Sequence, residues 1–275
     1  MFGRFDRPII MGILNVTPDS FSDGGQFLDV KRAVQQVDTM LAEGADIIDI
    51  GGESTRPGAE AVPADEQIRR IVPVIHAIRQ RGWVDVPISV DTTLSAVAKA
   101  AVLAGANIIN DVSAGDDDVS ILSLAAKMNV PIILMHRQGI PKTMQDNPYY
   151  QDVVREVVDN LKAKVDAALL LGITPNHIVI DPGIGFGKRK QDNLALLAHL
   201  DCLVALGFPV LLGTSRKRFM GAICNVTEPC ELVTATAVTT ALGVMAGVRI
   251  FRVHDVKQNR QAVDVAWAIR QSRLN

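Results

Sequence analysis

The sequence predicts an α/β protein built as a (β/α)8 barrel, the TIM-barrel architecture, and three observations lead to this prediction. Eight short apolar runs recur along the 275 residues. Most of them contain β-branched residues without polar alternation, which is typical of parallel strands buried on both faces. A helical pattern follows each run, as in repeated βαβ units. Eight such units favour one barrel, so we expect a single domain over residues 1–275.

The eight predicted strands are the apolar runs themselves, and they are spread over the whole chain. They span Ile9–Leu14, Ala45–Gly51, Val86–Val90, Ala106–Asn110, Val130–Met135, His177–Asp181, Pro209–Gly213 and Val248–Val253.

Helical periodicity fills the intervals between these strands. The first helical pattern places Val30, Val34, Val37 and Leu41 on one face and ends at Gly44. The predicted helices are Val30–Glu43, Ala64–Gln80, Leu94–Leu103, Val119–Met128, Asp152–Leu171, Asn193–Leu206, Cys230–Ala246 and Val256–Arg270.

The stretch Ile9–Gly25 begins as a buried strand and opens into a polar loop from Asn15 to about Gln26. An ordinary surface turn, which is the alternative interpretation, needs only about two to six residues. The length therefore favours a loop that carries function. A doubly wound parallel sheet is the alternative fold. It normally has a glycine-rich phosphate turn after its first strand, and Asn15-Val-Thr-Pro18 is not one.

Composition excludes several classes of protein. Hydrophobic residues make up 48% and charged residues 21% of the chain, which is typical of a folded globular protein. A net charge of −2 argues against nucleic acid or an anionic membrane as a partner. The three cysteines form no Cys-x-x-Cys pair, and residues 1–8 contain no signal-peptide core, so we expect a cytoplasmic protein. Uncharged Leu232–Val248 is short for a membrane span and favours a buried or interface helix.

Groups that ionise or form hydrogen bonds end every predicted strand. The C-terminal ends of barrel strands hold the active site in enzymes of this architecture. Desolvating a polar group at all eight ends would serve no structural purpose. The residues in question are Asn15, Asp49, Asp91, Thr92, Asn110, Asp111, His136, Arg137, Asp181, Ser215, Arg216, Lys217, Arg252, His254 and Asp255.

One part of this rim is predicted to bind a neutral heterocycle. Asp91, Asn110 and Asp181 combine carboxylate and amide groups, which suits the edge of a fused amino-pyrimidinone ring. The alternative for Asp181 is a cap on the turn at Pro182-Gly183. Lys217 has three interpretations that the sequence does not separate: a Schiff-base nucleophile, an anion contact or a solvated lysine.

A second part of the rim is predicted to bind an anion. Arg252 and His254 alternate on the last strand and so face the same side. Asn15 lies on the neighbouring first strand, and its carbonyl oxygen suits Mg2+ carried by a diphosphate. The alternative for His254 is a structural histidine. The rim is thus predicted to divide by charge.

These segments together resemble dihydropteroate synthases, a family of pterin-binding enzymes. The resemblance covers nearly the whole chain in the order of the family's motifs. The matching segments are Met11–Gly25, Gly51–Gly58, Ser89–Thr92, Ile109–Asp111, Met135-His136, Asp181–Lys188, Ser215–Lys217 and Arg252–Val256.

The resemblance implies a role for each group of residues. The pterin ring would be held by Asp91, Asn110, Met135, Asp181 and Lys217. The diphosphate would be bound by Asn15, Arg252 and His254, with Asn15 as the ligand of Mg2+. The p-aminobenzoate pocket would be lined by Thr55, Arg56, Pro57, Phe186, Ser215 and Lys217. The catalytic set would be Asp91, Asp181, Lys217, Arg252 and His254.

The resemblance also implies moving loops and a homodimer. The loop after the first strand would close over the site with Asp19 and Phe21 at its tip, while Asn15 stays in the fixed floor. Late helices would form the dimer interface, which would account for uncharged Leu232–Val248.

The implied reaction is substitution at the pterin methylene carbon of (7,8-dihydropterin-6-yl)methyl diphosphate. Diphosphate would leave first, and the amine of p-aminobenzoate would attack to give 7,8-dihydropteroate. Three alternatives remain: a barrel methyltransferase acting on methyltetrahydrofolate, a lyase that uses Lys217 as a Schiff base, and an inactive binding paralogue.

Overall fold

The protein forms a (β/α)8 barrel, and the computed structural model describes residues 6–17, 25–54 and 58–273. Its strands are β1 (Ile9–Asn15), β2 (Ile47–Gly51), β3 (Ile88–Asp91), β4 (Ile108–Asp111), β5 (Ile132–Met135), β6 (Ile178–Asp181), β7 (Leu211–Leu212) and β8 (Ile250–Val253). Within the described residues its helices are α1 (Gly25–Ala42), α2 (Ala64–Gln80), α3 (Ser95–Ala104), α4 (Ser120–Met128), α5 (Val153–Leu170), α6 (Lys190–Ala198), α7 (Leu200–Val204), α8 (Arg218–Cys224), α9 (Val233–Ala246) and α10 (Val256–Ser272).

The strands pair in parallel in the order β6-β5-β4-β3-β2-β1-β8-β7. An isolated parallel bridge between Ile180 and Val210 joins β6 to the start of β7 and brings the two edges of the sheet together. This arrangement confirms the predicted fold class. It also excludes the doubly wound sheet, whose two edges stay apart.

One predicted helix is wrong and one helix is not predicted. The helix predicted as Asn193–Leu206 is two helices, because His199 leaves the helical region at φ −124° and ψ 37°. Helix α8, which follows β7, was not predicted. It has only 7 residues, too few for a periodic apolar pattern to stand out.

Strand residues alternate between two hydrophobic clusters, one on each face of the sheet. Ile10, Ile48 and Ile109 pack outward against the helices. Their neighbours fill the inside of the barrel as a separate cluster of Ile9, Met11, Ile47, Ile108, Ile133, Val179, Leu211 and Ile250. The strands are therefore buried on both faces, as predicted.

This alternation positions the polar groups of the rim. Because successive side chains point to opposite faces, a residue two places after an inward-facing one also faces inward. The residues two positions after Ile47, Ile108, Val179 and Ile250 are polar, and they lie at the C-terminal end of the barrel strands, which we call the upper end. These are Asp49, Asn110, Asp181 and Arg252.

The uncharged segment Leu232–Val248 is mainly helix α9, which packs against the barrel. Thr236, Thr240 and Val244 are buried on its inner face. In the part of the chain that the structure describes, no helix combines the length and the apolar character that a membrane crossing requires. The prediction of a buried or interface helix agrees with this placement.

Candidate active site

Arg252 lies at the centre of the rim and forms two ion pairs. Its Nε donates to Oδ2 of Asp49 at 2.6 Å, and its Nη2 donates to Oδ2 of Asp91 at 2.6 Å. Asp49 is fully buried and Asp91 nearly so. Burial opposes the charge of Arg252, but the two carboxylates outweigh burial and raise the pKa of the guanidinium above its ordinary value. The group therefore stays charged throughout the usual pH range.

The two predicted parts of the rim are in direct contact with each other. Arg252 was assigned to the anion pocket and Asp91 to the ring pocket, yet their side chains are hydrogen-bonded. A partly buried guanidinium is stabilised by carboxylate partners, and β2 and β3 supply them. Asp49 was given no role from the sequence. The sequence does indicate that Asp49 is special, because it is the only charged residue of the buried strand Ile47–Gly51.

Asp91 keeps one oxygen atom for a ligand. Oδ2 accepts from Arg252, while Oδ1 is buried and has no hydrogen-bond partner among residues 6–17, 25–54 and 58–273. Burial raises the pKa of Asp91 to about 7, with Asp49 adding to the rise and Arg252 opposing it. A buried acceptor without a protein partner is rare in native structures, so Oδ1 can accept a hydrogen bond from a bound molecule.

Asp181 has the capping role that the sequence offered as its alternative. Its Oδ1 accepts the backbone N–H of Gly183 at 2.7 Å, so it does cap the turn. Burial raises the pKa of Asp181 to about 6, against this hydrogen bond and the charge of Lys217. A Cβ atom on Gly213 would lie 4.0 Å from both Asp181 Oδ2 and Arg252 Cβ. The absence of a side chain at Gly213 therefore leaves space between Asp181 and Arg252.

Lys217 lies against an aromatic ring rather than in solvent. Its Nζ is 4.2 Å from the centroid of the Phe186 ring, a distance at which a cation–π interaction stabilises the ammonium group. Phe186 in turn packs with Met135 and Met144 in a small hydrophobic cluster. The structure thus brings together three of the predicted ring-pocket and p-aminobenzoate residues, and the ring contact argues against a fully solvated lysine.

Ser215 and His254 form a reciprocal pair. The His254 backbone N–H donates to Ser215 Oγ at 3.1 Å, and Ser215 Oγ lies 2.9 Å from His254 Nδ1. Either atom can be the donor in the contact between Ser215 Oγ and Nδ1, because the role of the ring nitrogen depends on the tautomer of His254. The two contacts fix the position of the His254 ring beside the loop that follows β7.

Asn15 is the last residue of β1 and lies half-buried at the same end of the barrel. No group of three His, Cys, Asp or Glu side chains suited to a metal ion exists in the described ranges. Mg2+ usually takes few protein ligands and is completed by water and substrate phosphates. The single amide of Asn15 therefore fits a magnesium ion that arrives with a diphosphate, and does not fit a permanently bound ion.

Five predicted site residues lie outside the described residues. They are Asp19, Phe21, Thr55, Arg56 and Pro57.

The loop after β6 packs tightly against the loop after β5, and replacing Gly183 by alanine is expected to disrupt this contact. Gly183 has φ +65°, and a Cβ atom there would lie 1.8 Å from the carbonyl oxygen of His136. We expect the free energy of unfolding to fall by about 3 kcal/mol or more, from backbone strain plus forced displacement. Urea denaturation measures this loss.

Gly207 is the matched control for this variant. It has φ +81°, but no atom lies within 4 Å of its Cβ position. The Gly207→Ala variant should carry the strain alone, about 1–2 kcal/mol. Equal losses in the two variants would show that the contact between the loops is unimportant.

Comparison with known proteins agrees with this geometry. The family described as pterin binding enzyme matches residues 11–254 of the chain. The chain therefore belongs to the pterin-binding enzyme family. Within that family it groups with the dihydropteroate synthases. It is 47% identical over 269 residues to the dihydropteroate synthase of Synechocystis sp., an alignment that covers 98% of this chain and 92% of that one.

Solved structures show the same relationship. The dihydropteroate synthase of Xanthomonas albilineans with 4-aminobenzoic acid superposes with a TM-score of 0.89 at 46% identity, covering 96% of this chain and 93% of that one. The Yersinia pestis enzyme in complex with a sulfonamide drug superposes with a TM-score of 0.90 at 43% identity, covering 96% and 95%.

Proposed function

We infer that the chain is a transferase of folate synthesis that acts as a dihydropteroate synthase. It joins (7,8-dihydropterin-6-yl)methyl diphosphate to p-aminobenzoate and releases 7,8-dihydropteroate and diphosphate. The observation that carries this conclusion is the unpartnered, buried Oδ1 of Asp91, in a chain that matches dihydropteroate synthases along most of its length.

The pterin ring fits between the two buried carboxylates. Its amino group and ring N–H groups are donors, and Asp91 Oδ1 is an acceptor that needs one. Asp181 lies beside the space left by Gly213 and supplies a second acceptor. Asn110 and Met135 complete the pocket from β4 and β5. The alternative of a barrel methyltransferase would share this pocket but would have no use for an anion site.

The p-aminobenzoate site is built around Lys217 and Phe186. The ammonium group attracts the carboxylate of the substrate, and the Phe186 ring offers an apolar face to the aromatic ring. Ser215 lies nearby on the loop after β7. Thr55, Arg56 and Pro57 are proposed to close the pocket from the loop after β2.

The diphosphate is proposed to bind at Asn15, Arg252 and His254. The positive charge of Arg252 is already matched by Asp49 and Asp91, so this group alone attracts an anion weakly. That balance is a physical reason for Mg2+ at Asn15. When bound, the ion would supply the charge that stabilises the leaving diphosphate.

In the reaction the C–O bond to diphosphate breaks first and its electron pair leaves with the diphosphate. The resulting methylene cation is delocalised into the pterin ring, where Asp91 and Asp181 stabilise it in their ionised forms. The nitrogen of p-aminobenzoate then forms the new C–N bond and loses a proton to solvent. An arylamine is nucleophilic as the free base, so this step requires no strong base from the protein.

Calorimetric titration with the pterin diphosphate and Mg2+, followed by p-aminobenzoate and detection of diphosphate, tests the function. We expect sustained turnover, with diphosphate and 7,8-dihydropteroate formed in equal amounts, only when both substrates are present, and we expect a sulfonamide to compete with p-aminobenzoate. Methyl transfer from methyltetrahydrofolate, or borohydride trapping of a carbonyl substrate on Lys217, would instead support one of the alternatives. Absence of product from both substrates would contradict the proposal.

The reaction is expected to slow in acid. Because burial raises the pKa of Asp181 to about 6 and that of Asp91 to about 7, both carboxylates become protonated as the pH falls through this range. We expect kcat/KM for the pterin diphosphate to fall below about pH 7.

Stability should show the opposite trend. The folded state holds the proton of Asp91 more tightly than the unfolded state between pH 3.8 and about 7, so this residue's contribution to stability decreases as the pH rises through that window. A pH–rate profile and thermal unfolding over the same range measure the two trends. An activity profile that stays flat down to pH 5 would contradict the assignment.

Two further parts of the proposal concern assembly and location. Val238 and Leu242 on α9, with Val265 and Ile269 on α10, are exposed apolar side chains, and they support a homodimer through the late helices. The three cysteines are free and exposed, which supports a reducing, cytoplasmic location. The loop that carries Asp19 and Phe21 is proposed to cover the bound pterin.

A further inference from the structure

Lys188 is a buried lysine to which the proposed reaction gives no role. Its side chain is 2% exposed. Its Nζ lies 2.9 Å from Nδ1 of His136 and 2.9 Å from the carbonyl oxygen of Gly183. It also donates to the carbonyl oxygens of Phe186 at 3.1 Å and His136 at 3.4 Å. Three of these four partners are acceptors only, and Nδ1 of His136 is a fourth when the imidazole proton is on Nε2.

The hydrogen bonds of Lys188 reach two groups of the proposed active site. The peptide groups of Gly183 accept from Lys188 on one side and donate to Asp181 Oδ1 at 2.7 Å on the other. The carbonyl of Phe186 is held by the same ammonium group, and the Phe186 ring carries Lys217. Lys188 is thus linked through Gly183 to the carboxylate of Asp181, and through the carbonyl of Phe186 to the residue that lines the proposed p-aminobenzoate site.

We propose that Lys188 is a positioning residue that fixes the loop after β6, and with it both the carboxylate of Asp181 and the ring of Phe186. The proposal rests on the proposed function of those two residues. Without the ammonium group, the carbonyls of Gly183 and Phe186 would be buried and unpaired, so the loop would have to rearrange. Glycine at positions of tight contact, such as Gly183, allows the backbone conformation of this loop but supplies no hydrogen bond that would fix it.

The charge of Lys188 also acts on Asp181. Burial lowers the pKa of Lys188, while Asp181 and Asp192 raise it and Lys217 lowers it. In return, Lys188, Lys217 and Arg252 all lower the pKa of Asp181. Burial lowers the pKa of His136 to about 3, so its ring is neutral and places no second positive charge beside Lys188. Lys188 therefore helps to keep Asp181 ionised.

The Lys188→Met variant separates this role from simple support of the fold. It keeps much of the volume and removes every donor. We expect KM for p-aminobenzoate to rise about tenfold, with a smaller change in kcat, because the Phe186 wall loses its anchor. We also expect the acid limb of the pH–rate profile to move to higher pH, because the loss of a positive charge makes Asp181 easier to protonate. Carbon-13 NMR titration of the Asp181 carboxyl measures the same shift without turnover.

Two controls accompany this variant. Arg260→Met also removes a buried cation, but its partners Pro8 and Asp46 lie at the opposite end of the barrel, so stability should fall while KM for p-aminobenzoate and the pH profile stay unchanged. Lys188→Arg keeps the charge and should leave the acid limb near its original position. A folded Lys188→Met protein with unchanged KM, pH profile and carboxyl titration would overturn the proposal.

A second pair of variants applies if Lys188→Met does not fold. His136→Asn keeps an acceptor at the position of Nδ1, whereas His136→Leu removes it. The leucine variant should raise KM for p-aminobenzoate and the asparagine variant should not, and equal values would overturn the proposal. Activity of the unaltered protein with both substrates tests the proposed function separately, so failure of one inference is distinguishable from failure of the other.

Discussion

The Asp91→Asn variant is expected to lose pterin binding and turnover almost completely. The change removes a charge that balances Arg252 and replaces one of the two carboxylate oxygens with an NH2 donor, which must face either Arg252 or the ring pocket. A donor facing the N–H groups of the pterin leaves buried groups unpaired, at a cost of several kcal/mol when added to the lost charge stabilisation. We expect kcat/KM to fall by about a thousandfold or more. Calorimetry with the pterin diphosphate and a steady-state assay measure the two losses.

Ser89 provides the matched control, because it lies two residues before Asp91 on the same face of β3. Its Oγ is buried and has no hydrogen-bond partner within the described residues. Removing this hydroxyl in Ser89→Ala leaves no group unpaired and should change stability and pterin affinity little. Near-normal turnover of Asp91→Asn, or an equal loss in Ser89→Ala, would contradict the assignment of the ring pocket.

The Arg252→Met variant is expected to lose both stability and affinity for the pterin diphosphate. Asp49 and Asp91 would remain buried without the cation that both of them contact. Leaving one partner of a buried ion pair behind costs about 3–5 kcal/mol. Binding of p-aminobenzoate should suffer less, because Lys217 supplies the charge at that site. Urea denaturation and separate KM values for the two substrates measure these effects.

A double variant separates the structural part of this loss from the functional part. Adding Asp49→Asn to Arg252→Met removes one of the two stranded charges and should recover part of the free energy of unfolding. It should not recover turnover, since the diphosphate still lacks its guanidinium. If the double variant were no more stable than Arg252→Met alone, the ion pair between Asp49 and Arg252 would not be the source of the destabilisation.

The fold was predictable because its signals are local. Each strand is an apolar run buried on both faces, and most of the long helices have a periodic apolar face. The failures have local causes too: α8 is too short to show a period, and the break at His199 depends on its backbone conformation rather than on composition.

The sequence predicts which residues gather at the site, but not which of them contact one another. The position of Asp181 or Arg252 at the end of a strand, and its inward direction, follow from the two-residue alternation. Which side chain contacts which does not follow from it. Alternation therefore assigns no role to Asp49 and no partner to Lys188, although a buried charged side chain requires a partner.

The sequence by itself determined the barrel, the order of its units and the residues gathered at its upper rim, because these depend on short-range periodicity. Only the tertiary structure decided that Arg252 pairs with residues 203 and 161 positions away, and that Lys188 holds a residue 52 positions away. The physical reason is that the closed barrel places many polar side chains within reach of one another. The choice among them depends on side-chain length, burial and charge balance in three dimensions.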